Sequence, residues 1–160
     1  MILGSAHVAV CVPDVEDAVE WYSQKLGLKV LSPPFLMKGD AIDRDMGELL
    51  PAPVVLKAAI LGSESDDHVF ELIEYPTVQP PDKPSDPRPR ITSVGPTHVG
   101  LLCDDIEATR AELEDRGVAF LTSGMASVAG LKTTWFSDPW GSVFILMEKG
   151  DADRPYYRQF

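Results

Sequence analysis

His7-Val8-Ala9-Val10-Cys11-Val12-Pro13-Asp14-Val15-Glu16 lies over His98-Val99-Gly100-Leu101-Leu102-Cys103-Asp104-Asp105-Ile106-Glu107, with a shared His-Val start and a shared Asp-(Val/Ile)-Glu after a short apolar run. A second match follows in the same order. Val69-Phe70-Glu71-Leu72-Ile73-Glu74 lies over Val143-Phe144-Ile145-Leu146-Met147-Glu148, identical at four of six positions. Two ordered matches identify an internal duplication.

Each half reads alike at the level of local structure. Residues 6–12 alternate as a strand. Asp14 then offers a helix N-cap, Val15, Ala18, Val19, Tyr22 and Leu26 follow at helical spacing, and Gly27 closes the helix. Leu28–Ser32 reads as a second strand, Val54–Leu61 as a third and Val69–Tyr75 as a fourth. In the second half, 97–103 is a strand, Asp105 caps a helix carrying Ile106 and Leu113, and Gly117 ends it. Strands near 118–122, 131–136 and 143–149 follow. Each module is therefore βαβββ, and the fold class is α+β.

Seven of the 14 prolines fall between Pro76 and Pro96, which rules out a regular helix or central strand there. The expected organisation is a first module over residues 1–76, a Pro-rich linker over 77–96, a second module over 97–149 and a tail over 150–160. A frayed end is the default reading of that tail.

Strand parity assigns the faces. His7, Ala9 and Cys11 share one face; Val8, Val10 and Val12 form an apolar surface for the helix. His98, Gly100 and Leu102 likewise lie opposite Val99, Leu101 and Cys103. Ala9 and Gly100 leave room beside the two imidazoles. Phe70, Leu72, Phe144 and Leu146 suit the helix side, which sends Glu71 and Ile145 to the histidine side. Glu74 and Glu148 fall on the helix side at the strand ends and read as rim carboxylates. His68 has the wrong parity relative to Glu71 and reads as a loop or strand-edge residue.

The formal charge is -11, with 44% hydrophobic and 24% charged residues. That field repels phosphate backbones and anionic membranes, so neither nucleic acid nor membrane is an expected partner. No apolar stretch approaches the roughly 20 residues of a membrane helix, and the first residues do not read as a secretion signal. Two cysteines, Cys11 and Cys103, read as reduced thiols of a cytoplasmic protein. A Gly-rich phosphate loop, a Gly-x-Ser-x-Gly turn and a Cys-x-x-Cys pair are all missing, which removes the common nucleotide, hydrolase and zinc-ribbon readings.

The two strand histidines, the helix-capping Asp-(Val/Ile)-Glu, Glu71-Leu72-Ile73-Glu74-Tyr75 and Asp138-Pro139-Trp140-Gly141 together resemble the vicinal oxygen chelate superfamily. That group contains lactoylglutathione lyase, bleomycin resistance proteins and extradiol dioxygenases. The resemblance covers roughly residues 5–149. It implies paired βαβββ modules forming a curved mixed sheet with a concave pocket, and a divalent metal held there by one residue from the first and one from the last strand of each module. Carried over by position, His7, Glu71 and His98 match three ligands. The fourth, usually a glutamate, is Ile145. Two imidazoles and one carboxylate suit Fe(II), Mn(II), Ni(II) or Zn(II). The resemblance further implies a small-molecule substrate with neighbouring oxygens and a homodimer.

The retained carboxylate position favours lyase or isomerase chemistry over dioxygenase chemistry, with Glu71 as base or ligand. Ile145 at a ligand position favours a second reading, a metal-free binding protein that sequesters an aromatic or natural-product ligand. Residues 33–53 read as a long insertion covering the pocket, with Phe35 and Met37 as apolar contacts; a dimer contact is the other reading. Cys11 is a pocket contact or a small buried hydrophobe, and Trp135 a stacking platform or a core residue. Thr122–Gly130 reads as a flexible loop at the other rim.

Overall fold

The computed structural model describes residues 5–63, 68–78, 91–92 and 95–159. Most of the Pro-rich linker, at 79–90 and 93–94, lies outside the described residues. The chain divides into two compact units, Met1–Lys83 and Pro84–Phe160, and each builds its own four-stranded mixed sheet. The fold class is α+β, with a βαβββ module in each unit.

The first unit runs β1 (His7–Cys11), α1 (Val15–Leu26), β2 (Lys29–Lys38), α2 (Asp40–Met46), β3 (Val55–Gly62) and β4 (Val69–Glu74). The strand order is β1-β4-β3-β2, with β1 parallel to β4 and the other pairs antiparallel. Asp14 caps α1 by accepting from the Asp17 amide at 3.0 Å, and Gly27 ends it in the left-handed conformation at φ 72°. The apolar stripe of α1 packs on β2, β3 and β4. Val15, Ala18, Tyr22, Ala59, Leu61 and Leu72 are fully buried there. Burying a side chain of Leu size contributes about 1.5–3 kcal/mol.

The expected second strand stops too early. β2 continues through Pro33-Pro34 to Lys38, so residues 33–38 are strand and not insertion. It lies at the sheet edge with register irregularities between Ser32 and Phe35, where prolines lacking an N–H are tolerated. The remaining segment holds α2, whose Asp43 Oδ1 accepts from the Val54 amide at 2.6 Å and ties the helix to the start of β3.

The second unit runs β5 (Val99–Cys103), α3 (Ile106–Asp115), β6 (Ala126–Val128), β7 (Leu131–Ser137) and β8 (Val143–Lys149), in the order β5-β8-β7-β6. Asp105 caps α3 through the Ala108 amide at 2.9 Å, and Gly117 follows the helix at φ +83°. Phe136 and Phe144 stack at 5.0 Å in the core between α3 and the sheet.

Three expectations fail in this unit. Residues 118–122 make no named strand, only a bridge from Phe120 to Phe136. Backbone bonds to β7 run from the Leu121 amide to the Trp135 carbonyl and from the Ser137 amide to the Ala119 carbonyl, while the Thr122 carbonyl is taken by the Arg110 side chain. The segment read as a flexible loop, 122–130, instead contains β6. The tail also departs from a frayed end. It turns through a short 3-10 helix, Tyr156–Arg158, and Gln159 bonds back to Asp151 and Arg154. Among the described residues, no helix is long and apolar enough to cross a membrane.

Candidate functional site

In the first unit the ladder registers set out the face opposite α1. One row reads Ala9, Glu71, Ile60, Ser32; the next reads Cys11, Ile73, Ala58, Phe35. Met37 stands across from Leu56, on the same face by alternation. His7 sits two residues before Ala9 and reaches diagonally to Glu71, with Nε2 at 3.2 Å from Oε2. The imidazole is 49% exposed and the carboxylate 19%. His7, Glu71, Cys11, Phe35 and Met37 therefore share one sheet face.

That spacing suits a cation as well as a proton. Metal–ligand bonds of about 2.1 Å place adjacent donor atoms roughly 3.0 Å apart at an octahedral angle and roughly 3.4 Å at a tetrahedral one. The 3.2 Å separation falls between these values. Imidazole nitrogen and carboxylate oxygen are suitable donors for Fe(II), Mn(II), Ni(II) and Zn(II). Without a metal, the same contact is a hydrogen bond whenever Nε2 carries the proton.

Tyr75 follows Glu71 by four residues on the same alternation, and sequence reasoning passed over it. Burial, then the charges of Cys11 and Glu71, push its phenol above the usual tyrosine range, so it stays a neutral hydrogen-bonding group at physiological pH. Its signal in the sequence was parity alone. Cys11 is exposed as a residue, yet neighbouring atoms desolvate its sulfur and push the thiol up. Cys103 is free as well, with its thiol raised first by burial. Both stay protonated near neutral pH.

The second unit treats the equivalent face differently. Its row reads Gly100, Ile145, Trp135, so Ile145 occupies the place of Glu71 and Trp135 that of Ile60. The room expected beside His98 is filled: a Cβ on Gly100 would lie 2.7 Å from the Met147 methyl. His98 Nδ1 is 2.9 Å from the Thr97 hydroxyl, and its ring meets Trp135 edge-on at 4.9 Å. Beyond Trp135 lies a hollow of about 230 Å³ lined by Ile91, Leu121, Thr122, Trp135 and Val143. Trp135 is thus half-buried at a ligand-sized apolar hollow rather than in the core.

Glu74 and Glu148 do more than line a rim. Glu74 Oε2 accepts from the Val15 amide at 3.0 Å, and Glu148 Oε2 accepts from the Ile106 amide at 2.9 Å. Lys57 bonds Glu16 and approaches Glu74 at 3.9 Å; Lys132 lies 3.6 Å from Glu107 and 3.2 Å from Glu148. The repeated Asp-(Val/Ile)-Glu is therefore half of a clamp between helix start and sheet. Asp14, Glu16 and Glu74 bring carboxylate oxygens within 4.8 Å of one another, but this group holds Lys57 and a helix N-terminus. Its chemistry is already balanced by the ammonium and the helix-end amides.

The model of the Glyoxalase/Bleomycin resistance protein/Dioxygenase superfamily matches residues 4–146. The chain belongs to this superfamily. Solved structures agree at the level of the fold. A glyoxalase family protein from Bacillus cereus is 17% identical with a TM-score of 0.73, covering 93% of this chain and 95% of its own. A superfamily member from Sphaerobacter thermophilus is 23% identical with a TM-score of 0.58, covering 92% and 98%. A glyoxalase family protein from Enterococcus faecalis is 21% identical with a TM-score of 0.59, covering 91% and 98%. No curated protein matches the chain significantly. Within the glyoxalase superfamily, members bind small-molecule substrates, often with a divalent metal. The name spans enzymes and binding proteins alike, so membership alone sets no reaction.

Proposed function

We propose that this chain is a divalent-metal-dependent enzyme, a lyase or isomerase acting on a small substrate with neighbouring oxygens. The observation that carries the reading is the His7–Glu71 pair, with donor atoms 3.2 Å apart on the face opposite α1. His98 is the third ligand in this reading, supported by its equivalence to His7 in the duplication. With Nδ1 held by Thr97, Nε2 is the atom a cation would take. The metal, Fe(II), Mn(II), Ni(II) or Zn(II), would polarise a substrate carbonyl and acidify the neighbouring C–H. Glu71 would accept that proton, and Tyr75, four residues farther along the chain, would stay neutral. A homodimer in the cytoplasm is the expected setting, and sedimentation reports the assembly.

The test is metal content of protein purified without chelator, beside His7→Ala, Glu71→Ala and His98→Ala variants. Near one transition metal per chain, lost in each variant, is expected. Protein that takes up none of the four metals when offered them would sink this reading.

The second reading is a binding protein that holds an apolar or aromatic ligand without metal. The hollow beside Trp135 favours it, together with Ile145 and Met147 where polar groups would serve a metal. An apolar cavity of about 150 Å³ holds a benzene. About 230 Å³ therefore admits one substituted ring.

A further inference from the structure

Arg110 is a nearly buried charge of the second module. Its side chain is only 11% exposed, and burying a guanidinium costs stability unless its donors are met. Here they are met by an unusual set. Nε and Nη2 bond Glu114 at 2.9 Å. Nη2 also donates to the Thr122 carbonyl at 2.9 Å. Nη1 donates to the Gly124 carbonyl at 3.1 Å and to the buried Thr134 hydroxyl at 2.5 Å. The Phe120 ring lies 4.3 Å from the guanidinium carbon.

The duplication shows that the fold does not require this. Counting from the caps Asp14 and Asp105, Arg110 is equivalent to Val19. Counting from the ladder pairs Lys57–Glu74 and Lys132–Glu148, Thr134 is equivalent to Ala59. One module packs Val and Ala where the other buries Arg and Thr, so the polar pair serves something the first module lacks.

What it holds is the wall of the hollow. Thr122 Oγ1 accepts from the Trp135 amide at 3.2 Å and lies 3.1 Å from the Thr134 hydroxyl. The Leu121 amide donates to the Trp135 carbonyl at 2.7 Å. Leu121, Thr122 and Trp135 line the hollow. We propose that Arg110 is a positioning residue: from the helix side of the sheet it clamps the Thr122–Gly124 backbone and so sets the wall of a site for a single uncharged aromatic ring.

The proposal rests on the reading that the hollow takes such a ring, and the experiment separates the two. Fluoroindole is titrated by fluorine NMR into wild-type protein and into Arg110→Met, Arg110→Lys and Trp135→Ala. Amide hydrogen exchange is followed in parallel. Wild type binds, Trp135→Ala does not, and Arg110→Met binds weaker by about tenfold or more, as for lost outer-shell support elsewhere. Exchange rises at Leu121 and Trp135, while Leu72 in the first module is unchanged. Arg110→Lys keeps the charge without the fork, stays folded, and also binds more weakly. Wild-type affinity in both Arg110 variants, with only the thermal midpoint lowered, would make the residue structural and overturn the proposal. Failure of the wild type itself to bind would overturn the ring reading, and the positioning role with it.

Discussion

Glu74 and Glu148 perform the same task in the two modules. Each stands at the end of its last strand and accepts the first amide of its own module's helix, Val15 at 3.0 Å and Ile106 at 2.9 Å. A carboxylate at a helix N-terminus meets both an amide donor and the positive end of the dipole. The lysine across the ladder, Lys57 or Lys132, completes the arrangement.

This clamp predicts an acid limit to stability. The Ile106 amide, then Lys132, hold Glu148 below its ordinary value of 4.5. A carboxylate with a depressed folded pKa contributes stability that is present above 4.5 and lost as pH falls through the folded value. Urea midpoints should therefore decline below about pH 4.5, and Glu148→Gln should be less stable at pH 7 with a flatter acid limb. At the other end, Glu148 above all holds Lys132 above 10.5. Its contribution is present below 10.5 and fades as pH rises through the folded value. A Glu148→Gln protein with an unchanged acid profile would show that the clamp contributes nothing.

Phe144 is fully buried and stacks on Phe136 at 5.0 Å, with ring planes 13° apart. Truncating a buried Phe to Ala removes its transfer energy and leaves a cavity, at a cost of about 3–5 kcal/mol. Phe144→Ala should unfold the second module at far lower urea concentration. Ile145→Ala, one residue away on the half-buried face, should cost much less. Equal losses would mean that the two faces of β8 are not distinguished as burial indicates.

Most of the fold was legible because the duplication carried it. The caps Asp14 and Asp105, the strand parity of His7 and Glu71, and the buried Phe–Leu pairs follow from residue type and spacing. Other features were not. Pro33-Pro34 read as a strand end because an edge position, which tolerates proline, is a property of the sheet and not of the segment. Residues 118–122 read as a strand because nothing local shows that a helix arginine takes the Thr122 carbonyl at their end. Glu74 and Glu148 were placed on the correct face, but their acceptor role needs the helix start in space. At the site, His7–Glu71 was readable from parity, while the filling of the space beside Gly100 by Met147 was not.

Gly130 should anchor the tail. It sits at φ +76°, and a Cβ there would lie 2.5 Å from the Gln159 carbonyl oxygen. Its own carbonyl accepts from the Gly150 amide at 2.9 Å. Gly130→Ala would strain the backbone and displace Gln159, costing more than about 1 kcal/mol. Hydrogen exchange should show faster exchange over 150–159 with β8 unchanged. A tail protected as in the wild type would mean that the close approach is relieved locally.

Ile145→Glu separates the two functional readings. Ile145 pairs with Gly100 as Glu71 pairs with Ala9, so the substitution places a carboxylate at the equivalent of Glu71. Ile145 is half-buried, and the carboxylate can reach water, so the fold should survive. If metal binding is the function, a further carboxylate donor should raise affinity for Mn(II) or Fe(II), measured by calorimetry. If apolar sequestration is the function, the new charge lies directly across the ladder from Trp135 and should weaken fluoroindole binding without any gain in metal. Unchanged metal affinity together with lost ring binding would remove the metal enzyme from consideration and leave the hollow as the working site.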